Sequence, residues 1–196
     1  MTRRGRTRMP RAAALLAAAL LVLSVTACSG GTSERYGPGD EFPPGGVPSA
    51  IAWPSDWLEG TAGEEIPGIG GEVVAIRLEY RDGHWMWRVT SADPAYDGLD
   101  DGLSDPKRGR EALLEGDTRE LIQEHYVTLT ELELNGAAPG ILMAARNSGE
   151  TWPNPRVIEL RVVEAGGSPV WEATMYDANT REISVIQIDP AAPDRL

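Results

Sequence analysis

Five aspartates, Asp93, Asp97, Asp100, Asp101 and Asp105, fall within thirteen residues, interleaved with Gly98 and Gly102. Hard cations such as calcium take roughly six to eight oxygen ligands, and a glycine-containing loop can bend to supply them. Asp97, Asp100, Asp101 and Asp105 are the candidate metal ligands, which would make the chain a calcium or small-ligand sensor. Their spacing is not that of a D-x-D-x-D-G loop, and Lys107 and Arg108 close the run with opposite charge, so a solvated insertion is the plainer expectation. The two histidines, His84 beside a turn and His125 between Glu124 and Tyr126, sit where an imidazole is expected to be solvated. Ser91 or Ser148 could be drawn into a Ser/His/Asp set, but no G-x-S-x-G turn provides a strained nucleophile. H-E-x-x-H, a phosphate-cradling loop and a dinucleotide fingerprint are also missing from the sequence. A small hydrolase would need a carboxylate pair at catalytic separation. The expectation is therefore a non-enzyme with no catalytic residue and no cofactor. Six tryptophans against one phenylalanine form the remaining unusual set. Trp53, Trp57, Trp85 and Trp152 are the candidate partner-binding aromatics, because an exposed tryptophan brings large contact area with a polar handle. Trp87 and Trp171 are expected to pack in the core.

The charge distribution divides the chain. Residues 1–27 contain Arg3, Arg4, Arg6, Arg8 and Arg11 and no acid, followed by an apolar run from Ala12 to Val25. That run is shorter than the roughly 20 residues a membrane span needs. A basic start, a short apolar stretch and small residues are the pattern of a secretory signal peptide. The sequence Val25-Thr26-Ala27-Cys28 resembles the lipobox of bacterial lipoproteins, and Cys28 is the only cysteine in the chain. The resemblance implies lipidation of the Cys28 thiol and attachment of the mature protein to the outer face of the cell membrane. Two or more acyl chains hold a soluble domain firmly where one does not. Without residues 1–27, 13 basic residues stand against 30 acidic ones, a formal charge of −17. Such a surface excludes nucleic acid as a partner, because phosphate binding needs a basic face.

The elements that must carry any site begin after a Gly-, Pro- and Ser-rich stretch, residues 28–50, which reads as a flexible tether. Glu72–Tyr80 alternates apolar and polar residues, Arg81-Asp82-Gly83 is turn chemistry, and His84–Thr90 alternates again, so an antiparallel hairpin is predicted. A second copy follows about eighty residues later. Ile158–Val162 echoes Ile76–Tyr80, and Trp171–Thr174 echoes Trp87–Thr90, the two-residue difference being taken up by a longer turn at Gly166-Gly167. Arg110–Glu115 and Glu120–Gln123 read as a third strand turning into a fourth, with helix as a competitor given their Ala, Leu and Glu content. Glu182–Asp189 reads as a strand. Short helices are predicted around Ser55–Ala62 and Pro139–Asn147.

Helix, hairpin and third strand, with Pro before the first strand and Trp in the second, resemble the PepSY domain. The residues carrying the resemblance are Pro153–Asp189 in one unit, and Pro67-Gly68, Val73–Tyr80, Trp87-Arg88-Val89 and Gly109–Thr118 in the other. Arg119 and Arg181 depart from the family where a Gly would follow Thr118 and Thr180. The resemblance implies an α+β chain of two tandem PepSY-like units, each a helix packed on a small antiparallel sheet. They would span 51–127, with the acidic loop inserted at 93–109, and 128–196. It further implies a non-catalytic, membrane-tethered binding or regulatory module whose partner is a secreted peptidase or another envelope protein.

Overall fold

The computed structural model describes residues 35, 39–60, 68–92 and 106–188, all within the compact unit Gly31–Leu196. Among the described residues, three short helices, α1 (Pro54–Gly60), α2 (Glu131–Asn135) and α3 (Ile141–Asn147), accompany seven strands. The strands are β1 (Val73–Arg81), β2 (His84–Ala92), β3 (Arg108–Glu115), β4 (Leu121–Thr128), β5 (Arg156–Ala165), β6 (Ser168–Tyr176) and β7 (Ile183–Ile188). They form a single antiparallel sheet in the order β4-β3-β2-β1-β5-β6-β7. The expectation of two tandem units, each with its own small sheet under a helix, is thus corrected. β1 pairs with β5 and fuses both hairpins into one surface, and the helices are too short to roof two separate sheets. None of the helices among the described residues is long and apolar enough to cross a membrane.

The two hairpins are copies in register as well as in sequence. Asp82 and Gly83 close the first at φ 51° and 86°, and Gly166 and Gly167 close the second at φ 61° and 83°. Positive φ at both central residues is the mirror-image turn whose twist matches that of paired strands. Each hairpin carries a register shift on its first, inner strand, between Val73 and Ala75 and between Val157 and Glu159. Turn, shift, and the cross-strand pairs Leu78–Trp87 and Val162–Trp171 all recur at a constant separation of 84 residues. The turns are therefore of equal length, and the echo aligns Ile76 with Leu160 rather than with Ile158. Those two residues face each other across the β1–β5 ladder, so a local two-fold axis passes between them.

One face of the sheet is apolar and carries the core. Ile76, Leu78, Trp87, Val89, Ala112 and Leu114 from one half meet Leu160, Val162, Trp171, Ala173 and Ile188 from the other. Trp57 of α1 and Ala144 and Ala145 of α3 cover them. The Trp57 ring lies 5.9 Å from that of Trp87. Trp171 donates its indole N–H to the carbonyls of Ala137 (2.9 Å) and Pro139 (2.5 Å), which ties the chain entering α3 to the sheet. Thr130 caps α2 and is capped in return by Glu133, the reciprocal arrangement that satisfies orphan N–H groups. A second, smaller apolar cluster gathers Val74, Val127 and Leu129.

Candidate functional site

The β1–β5 ladder is short, running only from Ala75–Arg161 to Arg77–Glu159. Where it ends, Leu78 and Ile158 line a cleft of about 540 Å³, closed on one side by residues 39–46 and on the other by Tyr176, Arg181 and Ile183. This segment lies against the sheet: Asp40 donates its N–H to the Tyr80 carbonyl at 2.6 Å, and the Asp40 carboxylate accepts from Asp82 N–H at 3.1 Å. Phe42 anchors it, meeting the Trp85 ring edge-on at 4.7 Å and Tyr176 at 6.2 Å. Gly46 has φ 70°, and a Cβ there would collide with the Tyr176 hydroxyl, so the close approach requires glycine. Composition had assigned these residues to the tether. The local signal that they dock is Phe42, the only phenylalanine in the chain, set among glycines and prolines.

Three polar side chains of the cleft, Arg77, Glu159 and Thr174, interact with one another. Arg77 lies 3.9 Å from Glu159, whose carboxylate also accepts from the Thr174 hydroxyl at 3.1 Å. Beside it on β1, Glu79 is 2% exposed and faces three guanidinium groups: Arg88 at 2.7 Å, Arg81 at 3.1 Å and Arg77 at 3.6 Å. Farther along the sheet, Arg161 donates two bonds to Glu172, at 2.6 and 3.0 Å. Each of these three carboxylates has an arginine of the sheet as its ion-pair partner. What remains for recognition is an apolar floor with charge at its mouth. That is the make-up of a binding cleft, since apolar lining supplies affinity and a few placed polar groups supply orientation.

Two glutamates outside the cleft, the buried Glu133 and the half-buried Glu150, shift in opposite directions. Burial pushes the Glu150 carboxyl up, against hydrogen bonds from the Ser55 hydroxyl (2.7 Å), Val157 N–H (2.8 Å) and Ser55 N–H (3.3 Å) and the nearby Arg156 charge. Burial acts the same way on Glu133. There it is outweighed by the two-pronged bond from Arg35, at 2.7 Å on each oxygen, and by bonds from Thr130, so its carboxyl lies below the usual range. Glu150 thus clamps the start of α1 to β5, and Glu133 holds residue 35 against α2.

The sequence-derived candidates are scattered. Cys28 and Asp97, Asp100, Asp101 and Asp105 lie outside the described residues. Among the described residues, no group of three or more His, Cys, Asp and Glu side chains is placed to hold a metal ion. Trp57 is 2% exposed and belongs to the core, which removes it from any surface patch. Trp53 is half-buried beneath the Arg156 guanidinium at 4.2 Å, and Trp85 is half-buried against Phe42 and Tyr80. Trp152, 77% exposed, is the one of the four that presents its ring to solvent. His84 is exposed as expected, whereas His125 is largely covered and faces the buried Glu111 at 3.8 Å.

No protein-family model matches the chain. No curated protein matches it. A crystal structure from Clostridium difficile 630, described as a putative lipoprotein, is similar over 70% of this chain and 94% of its own, at 9% identity and a TM-score of 0.33. Likeness at that level transfers neither fold nor function.

Proposed function

We propose that the chain is an extracytoplasmic lipoprotein, held to the cell membrane through Cys28, whose folded domain binds a partner and performs no catalysis. The observation that carries the reading is the chain's single cysteine, placed directly after Val25-Thr26-Ala27 and a basic-then-apolar leader. The cleft between residues 39–46, β1 and β5 supports the binding half of the reading. It couples an apolar floor to a rim of charged side chains, Asp40, Glu41, Arg77, Glu159 and Arg181, which suits recognition of a partner with apolar and polar groups together. Restraint of a secreted peptidase is the finer form of this function that the PepSY resemblance implied.

Metabolic labelling with an alkyne fatty acid tests the anchor. The wild-type chain should take up label and sediment with membranes, and Cys28→Ser should lose both. A Cys28→Ser chain that stays fatty-acylated removes the basis of the proposal. Adding the purified protein to secreted peptidases of the same cell tests the finer form, which unchanged cleavage rates would rule out.

A further inference from the structure

The local two-fold axis makes β3 and β7 equivalent, each being the next strand beyond its hairpin, yet their surroundings differ. Leu114 of β3 and Ile188 of β7 oppose Trp87 and Trp171 and are both buried. Three and two residues earlier, Glu111 and Ala112 of β3 are 1% and 0% exposed, whereas Val185 and Ile186 of β7 are 58% and 36% exposed. The difference is β4, which pairs along β3 from Arg108 to Leu114, while among the described residues β7 pairs with β6 alone. Strand β7 is also without the usual protection of an edge: Ile183-Ser-Val-Ile-Gln-Ile188 contains no charge and no proline.

We infer that β7 receives, in the place β4 occupies on β3, an extended segment of a partner protein with alternating apolar side chains and basic flanks. The inference rests on the binding-module reading above and names the partner's chemistry. The turn before β7 closes with Asp177 N–H donating to the Glu182 carbonyl. Counting in twos from that pair, Ser184, Ile186 and Ile188 exchange bonds with β6, and the N–H and C=O groups of Ile183, Val185 and Gln187 point away from the sheet. Three outward donors and three acceptors form a ready template for strand addition, in which main-chain bonds give affinity and alternate side chains give selectivity. Ile183 also lines the cleft, so a segment on this edge lies beside its mouth. Charge selects among occupants. At β7 itself the exposed Glu182 stands next to the exposed Arg181, and Glu172 on the adjoining strand is already paired with Arg161, so the selection comes from the charge of the whole domain. The mature chain's formal −17 disfavours a second copy and favours basic flanks.

Fluorescence anisotropy with the full chain in detergent micelles tests this, using the labelled heptapeptide Lys-Val-Thr-Val-Thr-Val-Lys and a twin with Glu at both ends. The Lys-flanked probe should bind about tenfold or more tightly than its twin. Val185→Pro removes an outward donor and leaves the β6 ladder whole, so it should weaken binding about tenfold with the melting temperature unmoved. Val185→Lys, an independent variant, should narrow or reverse the preference between the probes. Equal binding of both probes, binding of neither, or full binding by a folded Val185→Pro chain overturns the inference. A dimer that Val185→Pro dissociates also overturns it, by placing a second copy on the edge. Fatty-acid labelling of Val185→Pro should match wild type, so failure at β7 leaves the Cys28 anchor separately standing.

Discussion

Hairpins β1–β2 and β5–β6 share turn geometry, register shift and core tryptophan, yet they treat their polar faces differently. Arg88 and Glu172 occupy equivalent positions with opposite charge. In the first hairpin Arg88 reaches diagonally to Glu79, whose side chain is 1% exposed. In the second, Glu172 pairs directly across to Arg161, which is 53% exposed. Gly39 accounts for the difference, since a Cβ built there would lie 2.9 Å from the Cβ of Glu79. The segment that anchors at Asp40 therefore covers one ion pair, while the other stays in solvent. Backbone geometry is set by turn and shift, and what crosses the face afterwards decides how much each charge matters.

The sharpest test of that contrast compares Arg88→Met with Arg161→Met under urea. Removing one partner of a buried pair costs up to about 3–5 kcal/mol, and in Arg88→Met the neighbouring Arg81 and Arg77 offset part of that loss at Glu79. An exposed pair contributes only about 0–1 kcal/mol. Equal losses at the two sites would break the comparison.

A smaller effect separates Glu133 from Glu150 by pH. The lowered folded-state pKa of Glu133 gives stability that is present above its ordinary value of 4.5 and is lost as pH falls through the folded value. The raised pKa of Glu150 works in reverse: stability falls as pH rises from 4.5 through its folded value. Glu133→Gln should therefore destabilise at neutral pH and cost less on acidification. Glu150→Gln should flatten the decline above 4.5, as read from melting temperatures across the series. A matching pH dependence in both variants would contradict the opposed assignments.

The smallest effect concerns the turns at Arg119 and Arg181, with φ 62° and 63°. Each turn donates the arginine N–H four residues back, to Glu115 and Asp177, and each Thr hydroxyl accepts from the following Glu N–H. This is the left-handed position where the PepSY comparison led one to expect glycine. Arg119→Gly and Arg181→Gly should each stabilise by about 0.5–1 kcal/mol in chemical unfolding, by relieving that conformation. A loss at either would show that the arginine side chain outweighs the strain.

Much of the strand inventory was legible because alternation and turn residues are local signals. Val74, Ile76 and Leu78 declared a face, and Asp82-Gly83 declared its end. The Leu113–Leu114 region was ambiguous between helix and strand, and pairing with β2 and β4 decided it, a tertiary effect that propensity does not record. Nor could the joining of β1 to β5 be read, since either hairpin would also present a plausible edge alone. The echo itself was visible, but two aliphatic runs align almost equally well two residues apart, and the strand register, with its shift after Val157 and the Val162–Trp171 pair, fixes the offset. The cleft was missed because its wall is drawn from a stretch whose glycines and prolines read as a linker.

The seam between β1 and β5 carries a mechanical consequence. With its three facing pairs it is the shortest ladder in the sheet. A chain held at Cys28 and engaged at β7 would transmit tension into the sheet near Asp40 and Tyr80, on the β1 side, and withdraw it from the β5 side. That load divides between this short seam and the contacts of Phe42 and Gly46 with Tyr176 on β6, so the docked segment shields the seam from part of the pull between the proposed anchor and the proposed grip.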